Sequence, residues 1–307
     1  MSSLLEKVNK AIKNPKLVLQ ALGQYGIYNW MPDEAYLKFM YSLKMGKKLN
    51  LDNPQTFNEK LQWLKLHDRQ PEYTQMVDKY AVREYIKEKL GEEYLIPLLG
   101  VWDDPDDIDF DELPNQFVLK CNHNSGVGMC ICKDKSKLDI ETVRKKLKKG
   151  LKEGYYLHGR EWPYKDVHRK IIAEKYMEDE SGELRDYKFF CFDGNVQFLF
   201  IATDRTNPNA ETKFDFFDMD FRHLPFLNGH PNSSMSINRP KSFNEMVRVA
   251  ALLSKGIPHV RVDLYEINGK VYFGELTFTH WSGMVPFEPE EWDYKFGDWI
   301  DLEKVKK

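Results

Sequence analysis

Two acidic side chains interrupt an otherwise apolar hairpin sequence in residues 259–279. Runs of β-branched and aromatic residues lie on either side of Asn268-Gly269, which is the strongest short signal for a tight β-turn. Asp263 lies in the first run and Glu275 in the second. A regular two-residue turn would place them on opposite faces, because side chains alternate along a strand. One extra residue, in a bulge or in the turn, would place Asp263 directly opposite Glu275. We expect this arrangement, with the irregularity at 268–270.

Opposed carboxylates predict a cation site. Two carboxylates that face each other at short range repel unless a positive charge lies between them. A hard divalent cation bound through oxygen atoms, such as Mg²⁺, satisfies both acids. Two solvated acids on an edge hairpin are the alternative.

Lys79 occupies a position that favours an anionic partner. Asp78 is a good N-cap and Gly91 a good residue to follow a helix, so the sequence predicts a helix between them. Lys79 then lies in the first turn, where the helix dipole disfavours a cation. Either an anion binds there or the lysine extends into solvent.

A second lysine ends a predicted strand beside a loop of small residues. The apolar segment Phe117–Lys120 leads into Asn122–Gly128. Gly126 and Gly128 would let backbone N–H groups approach an anion closely. The loop is not a P-loop, since no Gly-Lys-Ser/Thr follows, but it is a candidate phosphate clamp.

Composition narrows the class of protein. The chain has 307 residues, 42% of them hydrophobic, and a net charge of −3, which indicates a globular protein and disfavours general nucleic-acid binding. No secretion signal opens the sequence and no apolar run approaches about 18 residues. We expect a cytoplasmic protein without a membrane span, while peripheral membrane association stays open.

Cysteine usage indicates a reducing compartment. The four cysteines show no disulfide framework. Cys121, His123, Cys130 and Cys132 are close in sequence, but their spacing matches no familiar zinc module.

Several elements must position these residues. Apolar residues recur at helical spacing in 1–45, including Leu4, Leu5, Val8 and Ile12. Capping boxes predict helices that begin after Thr56 and Ser242.

Strands complete the framework. The turn signal Asp193-Gly194 predicts a second hairpin, of 184–192 with 195–203. The patterns of residues 170–177 and 213–219 predict further strands, and we expect the aromatic, acidic tail 286–300 to wrap the surface.

In this order, the pieces resemble an ATP-grasp enzyme. The resemblance implies an α/β (α+β) fold with mixed or antiparallel sheets, a mobile lid subdomain and a helical N-terminal region. It divides the chain into a helical region 1–95, a lid 96–176 and a C-terminal subdomain 177–307 that carries the metal site.

A more specific resemblance extends over nearly the whole chain. The motifs are similar to those of the TupA-like ATP-grasp family, which is linked to teichuronopeptide and surface-polysaccharide synthesis. They are Asn53-Pro54, Thr56–Lys65, Asp78–Tyr80, Lys120–His123, Asp186–Lys188, Gly274–Thr277 and His280–Gly283.

The resemblance implies roles for individual residues. Asp263 and Glu275 would bind Mg²⁺ with Thr277, which stands where ATP-grasp enzymes commonly have asparagine, so a second metal would bind more weakly or through water. Arg261 and Lys120 would be catalytic, although Arg261 could instead form a structural ion pair with the acids. The residues implied in binding ATP are Lys79, Lys120, Asn122, Ser125, Gly126, Gly128, Glu174, Lys175, Met177, Asp186 and Lys188. Those implied in contacting the acceptor at the mouth of the site are His280, Trp281 and Ser282.

The implied reaction is carboxylate–amine ligation through an acyl phosphate, with ATP and Mg²⁺ as cofactors. The partners would be a small-molecule or saccharide carboxylate, such as a uronic acid of a surface polysaccharide, and an amine or amino acid. No nucleic-acid partner is expected, and the oligomeric state stays open. The alternative is a sugar-nucleotide glycosyltransferase, for which Asp218-Met-Asp220 is the candidate metal motif.

Overall fold

Helices dominate the chain before residue 95 and strands dominate after it. A computed structural model describes residues 15–24, 26–179, 184–204 and 211–305. The predicted helical positions Leu4, Leu5, Val8 and Ile12 lie outside the described residues. The α-helices are α1 (Pro15–Gln24), α2 (Asp33–Met45), α3 (Phe57–His67), α4 (Glu72–Val77), α5 (Val82–Lys89), α6 (Ile140–Leu151), α7 (Tyr155–Gly159), α8 (Phe243–Ser254) and α9 (Glu291–Gly297). Short 3₁₀ helices span Glu92–Tyr94, Pro105–Asp107, Lys135–Lys137, Trp162–Tyr164, His280–Gly283 and Leu302–Lys304.

The strands form two antiparallel sheets, which confirms the expected fold class. The strands are β1 (Leu98–Trp102), β2 (Phe117–Cys121), β3 (Cys130–Cys132), β4 (Ile171–Lys175), β5 (Asp186–Phe192), β6 (Asn195–Thr203), β7 (Lys213–Asp218), β8 (Val260–Ile267) and β9 (Lys270–Thr277). A four-stranded sheet has the order β1-β4-β2-β3, and a five-stranded sheet has the order β7-β6-β5-β8-β9. Neighbouring strands run antiparallel in both sheets.

The β8–β9 hairpin places the two acids directly opposite each other. Asp263 pairs with Glu275 as predicted, but the irregularity is not in the turn. Asn268 (φ 53°) and Gly269 (φ 80°) form a regular two-residue turn with both residues in the left-handed region. The extra residue is Gly274, because the register shifts between Asp263 and the next residue of β8. A Cβ on Gly274 would lie 2.9 Å from the Asp263 carbonyl oxygen, so the bulge requires glycine.

The five-stranded sheet is covered on both faces. One face packs on α8 through aliphatic residues such as Val249 and Val262. The other face is aromatic and packs on α3 and the C-terminal segment. In that segment Phe296 is fully buried and stacks on Phe198 with ring centroids 4.2 Å apart. The expectation that the tail wraps the surface was therefore wrong, because its aromatic residues complete a core.

The first residues of three helices show where local sequence signals predicted the start of a helix correctly. Thr56 and Glu59 form the reciprocal capping box predicted for α3. Ser242 precedes α8 but makes no side-chain cap, because its hydroxyl donates to the Gly269 carbonyl. The predicted helix after Asp78 begins later, at Val82 in α5, and the Asp78 carboxylate accepts from two backbone N–H groups of the intervening turn.

Buried histidines predict that the protein is less stable in mild acid. Burial lowers the pKa of His259 from 6.5 to about 3 and that of His123 to about 4. Below about pH 6.5 the unfolded chain therefore binds protons that the folded protein does not. Stability should fall from pH 6.5 to 5 with a slope of about 1.4 kcal/mol per pH unit for each such histidine.

Guanidinium chloride unfolding at several pH values measures this slope. His259→Leu should reduce the slope by about 1.4 kcal/mol per pH unit, whereas His67→Gln, at an exposed position, should leave it unchanged. An identical slope in His259→Leu and the wild type would contradict the prediction.

Candidate active site

A cavity of about 600 Å³ lies beside the β8–β9 hairpin, between the sheet, the loop after β2 and the segments that follow α6 and β9. The hairpin alternates side chains so that Arg261 and Asp263 share a face, and the bulge at Gly274 brings Glu275 to it. The predicted site residues that line the cavity are Lys79, Ser125, Lys188, Arg261, Glu275, Thr277, His280, Trp281 and Ser282.

Arg261 joins the three predicted metal ligands. Its Nε and Nη2 each donate to one oxygen of Asp263 at 2.7 Å. Nη2 also lies 3.0 Å from Thr277 Oγ1 and 3.4 Å from Glu275 Oε1. In this structure the positive charge between the opposed acids is therefore a guanidinium group.

The oxygen atoms around Arg261 fit a hard cation. Oxygens of Asp263, Glu275 and Thr277 all lie within 3.4 Å of one cationic nitrogen, so they converge on a single point. Two carboxylates and a hydroxyl form the oxygen donor set that Mg²⁺ favours. Asp263 also pairs with Lys188 and is fully buried, so it would have to share its oxygens with these cations.

Two lysines extend the positive charge along the cavity. Lys188 contacts Asp186 at 2.7 Å, and Lys79 Nζ lies 3.7 Å from Glu275 Oε2 and 2.7 Å from the Asn124 carbonyl oxygen. Burial lowers the pKa of Lys79, against the opposing effect of Glu275. Burial also opposes ionisation of Glu275, but the surrounding cations outweigh it and lower the pKa to about 2.

His280 holds Arg261. Asn228 donates from Nδ2 to the Val285 and Pro286 carbonyls, so its Oδ1 faces His280 Nε2 at 2.8 Å. The oxygen can only accept, and Nε2 must therefore carry the proton. The Nδ1 lone pair then accepts from Arg261 Nη1 at 2.9 Å.

His280 has a structural role in addition to the predicted contact with the acceptor, which stays a prediction. It lines the cavity, but it is 3% exposed and both of its ring nitrogens are engaged. Burial, reinforced by the charge of Arg261, lowers its pKa well below the usual range. The neutral ring is thus a positioning group for Arg261, and Trp281 and Ser282 line the same cavity.

The four-stranded sheet carries a second charged cluster. Lys120 Nζ lies 2.5 Å from Glu174 Oε2, and Arg83 Nη1 lies 3.5 Å from Glu174 Oε1. Val118 pairs with Glu174 and with Ile131, so these three share a face with Lys120. Ile131 is 47% exposed. The apolar side chains of Val118, which is half-buried, and Ile131, which is exposed, therefore lie beside the Lys120–Glu174 ion pair.

The loop after β2 is anchored at its base and open at its tip. Asn122, predicted to bind ATP, uses its amide to bond Asp78, the His168 carbonyl and the Lys170 N–H, so it acts as a structural tie. Gly126 is exposed and has φ 84°, and a Cβ at this position would have no atom within 4 Å.

Close packing explains the second glycine of the loop. A Cβ on Gly128 would lie 3.0 Å from the Gly150 Cα and 3.1 Å from Cys121 Sγ. Gly128 therefore lets the loop pack on α6, and it has a packing reason independent of any ligand.

The remaining predicted residues take supporting positions. Asp186 is buried beneath Lys188 and pairs with it. The Lys175 N–H donates to the Pro97 carbonyl, and Met177 follows β4 in a half-buried position.

Sequence reasoning missed Arg83, Asn228 and Glu161. Arg83 lies four residues after Lys79, so helical spacing could have suggested it. Asn228 and Glu161 reach the site from distant loops, and no local pattern marks them.

A family model identifies the class of protein as ATP-grasp. The chain belongs to the TupA-like ATPgrasp family, whose model matches residues 59–301. A comparison with curated proteins found no match.

Solved structures show more distant similarity. D-alanine–D-alanine ligase from Bacillus anthracis, complexed with ATP, is 17% identical with a TM-score of 0.41, and the match covers 66% of this chain and 55% of that one. The ligase of the same name from Helicobacter pylori is 12% identical with a TM-score of 0.43, over 81% and 67% of the two chains. The ATP-grasp ligase PsnB, complexed with a minimal precursor, is 10% identical with a TM-score of 0.42, over 78% and 63%. The match thus spans about half the length of the Bacillus ligase.

The hydrogen-bond chain predicts the tautomer of His280. In protein labelled with ¹⁵N-histidine, NMR should show Nε2 protonated and Nδ1 unprotonated near neutral pH. Asn228→Leu removes the accepting oxygen and should abolish this preference, whereas His67→Gln should leave the His280 signals unchanged. A proton on Nδ1 in the wild type would contradict the assignment.

Proposed function

We propose that the protein is an ATP- and Mg²⁺-dependent ligase that joins a carboxylate to an amine through an acyl phosphate. The observation that carries this proposal is the convergence of Lys79, Lys188, Arg261 and Glu275 on one cavity. Phosphoryl transfer depends mainly on positioning and on neutralising the phosphate charge. Three cations beside an ionised carboxylate meet that requirement.

The nucleotide would lie between the two sheets. The exposed face of Val118 and Ile131 offers an apolar surface for the base. Lys120 and Glu174 border that face, where Glu174, Lys175 and Met177 would recognise the adenine edge. Lys120 would have to leave Glu174 to reach a phosphate, which is a short movement for a flexible side chain.

The metal would be held by Glu275 and Asp263, with Thr277 as a further oxygen. When bound, Mg²⁺ neutralises phosphate charge and orients the transferred group. Arg261, fixed by His280, would stabilise the negative charge that develops at the acyl phosphate. Because five of its contacts are already made inside the protein, the guanidinium needs little reorganisation.

The acid substrate would enter from the side of Trp281 and Ser282. We propose a uronic acid of a cell-surface polysaccharide precursor, joined to an amino acid or amine in the cytoplasm. This choice rests on the link of the TupA-like family to such polymers. Within the described residues, no helix is long and apolar enough to cross a bilayer.

The glycosyltransferase alternative lacks a metal motif at the site. Asp218 accepts from the Arg222 backbone and side chain, and Arg222 also pairs with Asp220. These residues form a charged turn after β7 and do not line the cavity. We therefore favour the ligase.

Nucleotide binding should close the loop after β2. With Mg²⁺ and a non-hydrolysable ATP analogue, hydrogen exchange in 122–132 should slow, because lids of this kind open and close on the μs–ms timescale and the bound state would hold the loop down. Lys79→Met should weaken the effect at a given analogue concentration, whereas Lys137→Met, at a strongly exposed position, should not. Unchanged exchange in the wild type at saturation would count against both the nucleotide site and the mobile lid.

The chemistry can be tested with hydroxylamine as a surrogate amine. A panel of uronic and other carboxylic acids should reveal one that yields a hydroxamate and ADP in equal amounts. Glu275→Gln should lower kcat far more than it raises the KM for the acid, because the lost interaction strengthens in the transition state. Sugar transfer from a nucleotide sugar without ATP would refute the ligase assignment.

A further inference from the structure

Glu161 directs a carboxylate into the cavity from the segment that follows α7. It is 7% exposed and lines the cavity. Its negative charge contrasts with the positive charges of Lys79, Lys188 and Arg261 in the same lining. Its Oε2 accepts a hydrogen bond from Thr279 Oγ1. Among the described residues, Oε1 has no hydrogen-bond or ion-pair partner. The residue is more than nine-tenths buried, and its free oxygen faces the cavity, where a ligand can donate a hydrogen bond to it.

The residue before Glu161 ends helix α7 in the left-handed conformation. Arg160 has φ 52°, which is unfavourable for a residue with a Cβ, and such outliers concentrate at functional sites. The Arg160 guanidinium is buried against the Tyr36 ring, 4.4 Å from its centroid, and donates to the Tyr28 and Met31 carbonyls. Anchoring Arg160 in the helical N-terminal region leaves Glu161 pointing to the cavity.

Gly159 has no side chain and therefore leaves room for the Glu161 carboxylate. A Cβ there would lie 2.8 Å from Glu161 Oε1 and would collide with Ser282 Oγ. The glycine has an ordinary φ, so its role is to allow this close approach and not to relieve the backbone.

Neighbouring lysines do not satisfy Glu161. Lys65 is buried, and its Nζ is engaged by Gln62 Oε1 at 3.0 Å, the Gly159 carbonyl at 2.8 Å and Ser282 Oγ at 2.8 Å. Lys44 lines the cavity and forms no ion pair with Glu161 within the described residues. The rings of Tyr155 and Tyr164, 4.7 Å apart, line the same cavity, and aromatic faces attract cations.

We infer that Glu161 is the recognition site for the amine substrate, which it binds as an aliphatic ammonium ion beside the paired rings of Tyr155 and Tyr164. The inference rests on the proposed ligase function, which requires an amine in the same cavity as the activated acid. The cavity contains both signs of charge: Lys79, Lys188 and Arg261 suit the phosphate and carboxylate groups, whereas Glu161, with Lys44 in the same lining, offers a carboxylate oxygen to a cation.

A charged and a neutral probe of the same shape test this inference. Propylammonium and propan-1-ol are titrated into the full chain and followed by ligand-observed NMR, with and without Mg²⁺ and a non-hydrolysable ATP analogue. Propylammonium should bind saturably and propanol should not. Glu161→Gln should weaken propylammonium binding by at least about tenfold, since a hydrogen bond to a charged group is lost.

Two further variants make the result decisive. Glu112→Gln removes an exposed acid and should bind propylammonium like the wild type. Gly159→Ala should weaken propylammonium binding without a change of charge. It replaces Glu161→Gln as the test variant if Glu161→Gln does not fold. Equal affinity in the wild type and the folded variants, or no propylammonium binding in the wild type, would overturn the inference. Because the titration also runs without nucleotide, failure to bind the ATP analogue would count against the proposed function separately.

Discussion

The site depends on a chain of alternating charges. Asp186 contacts Lys188, Lys188 contacts Asp263, Asp263 contacts Arg261, Arg261 contacts Glu275, and Glu275 contacts Lys79. The three positive and three negative groups balance one another, so the buried cluster has no net formal charge. Removing one member of a buried ion pair typically costs about 3–5 kcal/mol, because its partner stays buried and unpaired. The chain is tight at Asp263 and looser at Lys79, whose contact with Glu275 is 3.7 Å long.

Backbone register sets this order of charges. Lys188, Asp263 and Glu275 lie opposite one another on three neighbouring strands, which forms a row with strand spacings of about 4.7–4.9 Å. The bulge at Gly274 is essential, because without it Glu275 would point to the other face and the row would end at Asp263. The aromatic core on the same face, including Phe190 and Phe200 against His280, fixes the base of the site.

Local sequence signals predicted the elements and the row of acids, but not every detail of how they meet. The Thr56 capping box formed as predicted. The hairpin turn formed at Asn268-Gly269, but the irregularity predicted there lies at Gly274 instead. Ser242 failed because a distant carbonyl, that of Gly269, competes for its hydroxyl. The bulge could be anticipated only as one of two options, since a glycine in a strand does not by itself show which residue stays unpaired.

Roles that depend on distant contacts were beyond the sequence. The family resemblance placed His280 at a substrate-facing position. Its hydrogen-bond partner Asn228 is 52 residues away along the chain. Nothing local indicates that this amide selects the tautomer and so lets the ring accept from Arg261. Asn122 is similar: its position in a glycine-containing loop suggested a phosphate ligand, whereas its amide is used by Asp78 and the backbone before β4.

The two walls of the cavity have different origins, and this has a consequence for specificity. The phosphate-facing wall comes from adjacent strands, whose spacing the hydrogen-bond ladder fixes. The wall with Glu161 depends on contacts to the helical region: Tyr36 donates to the His158 carbonyl at 2.9 Å, and Lys65 donates to that of Gly159. Changes in α2 and α3 can therefore move the substrate wall while the charge row stays in register. In the proposed function the helical region would thus be a part of the substrate site, because it determines where the segment after α7 can place its side chains.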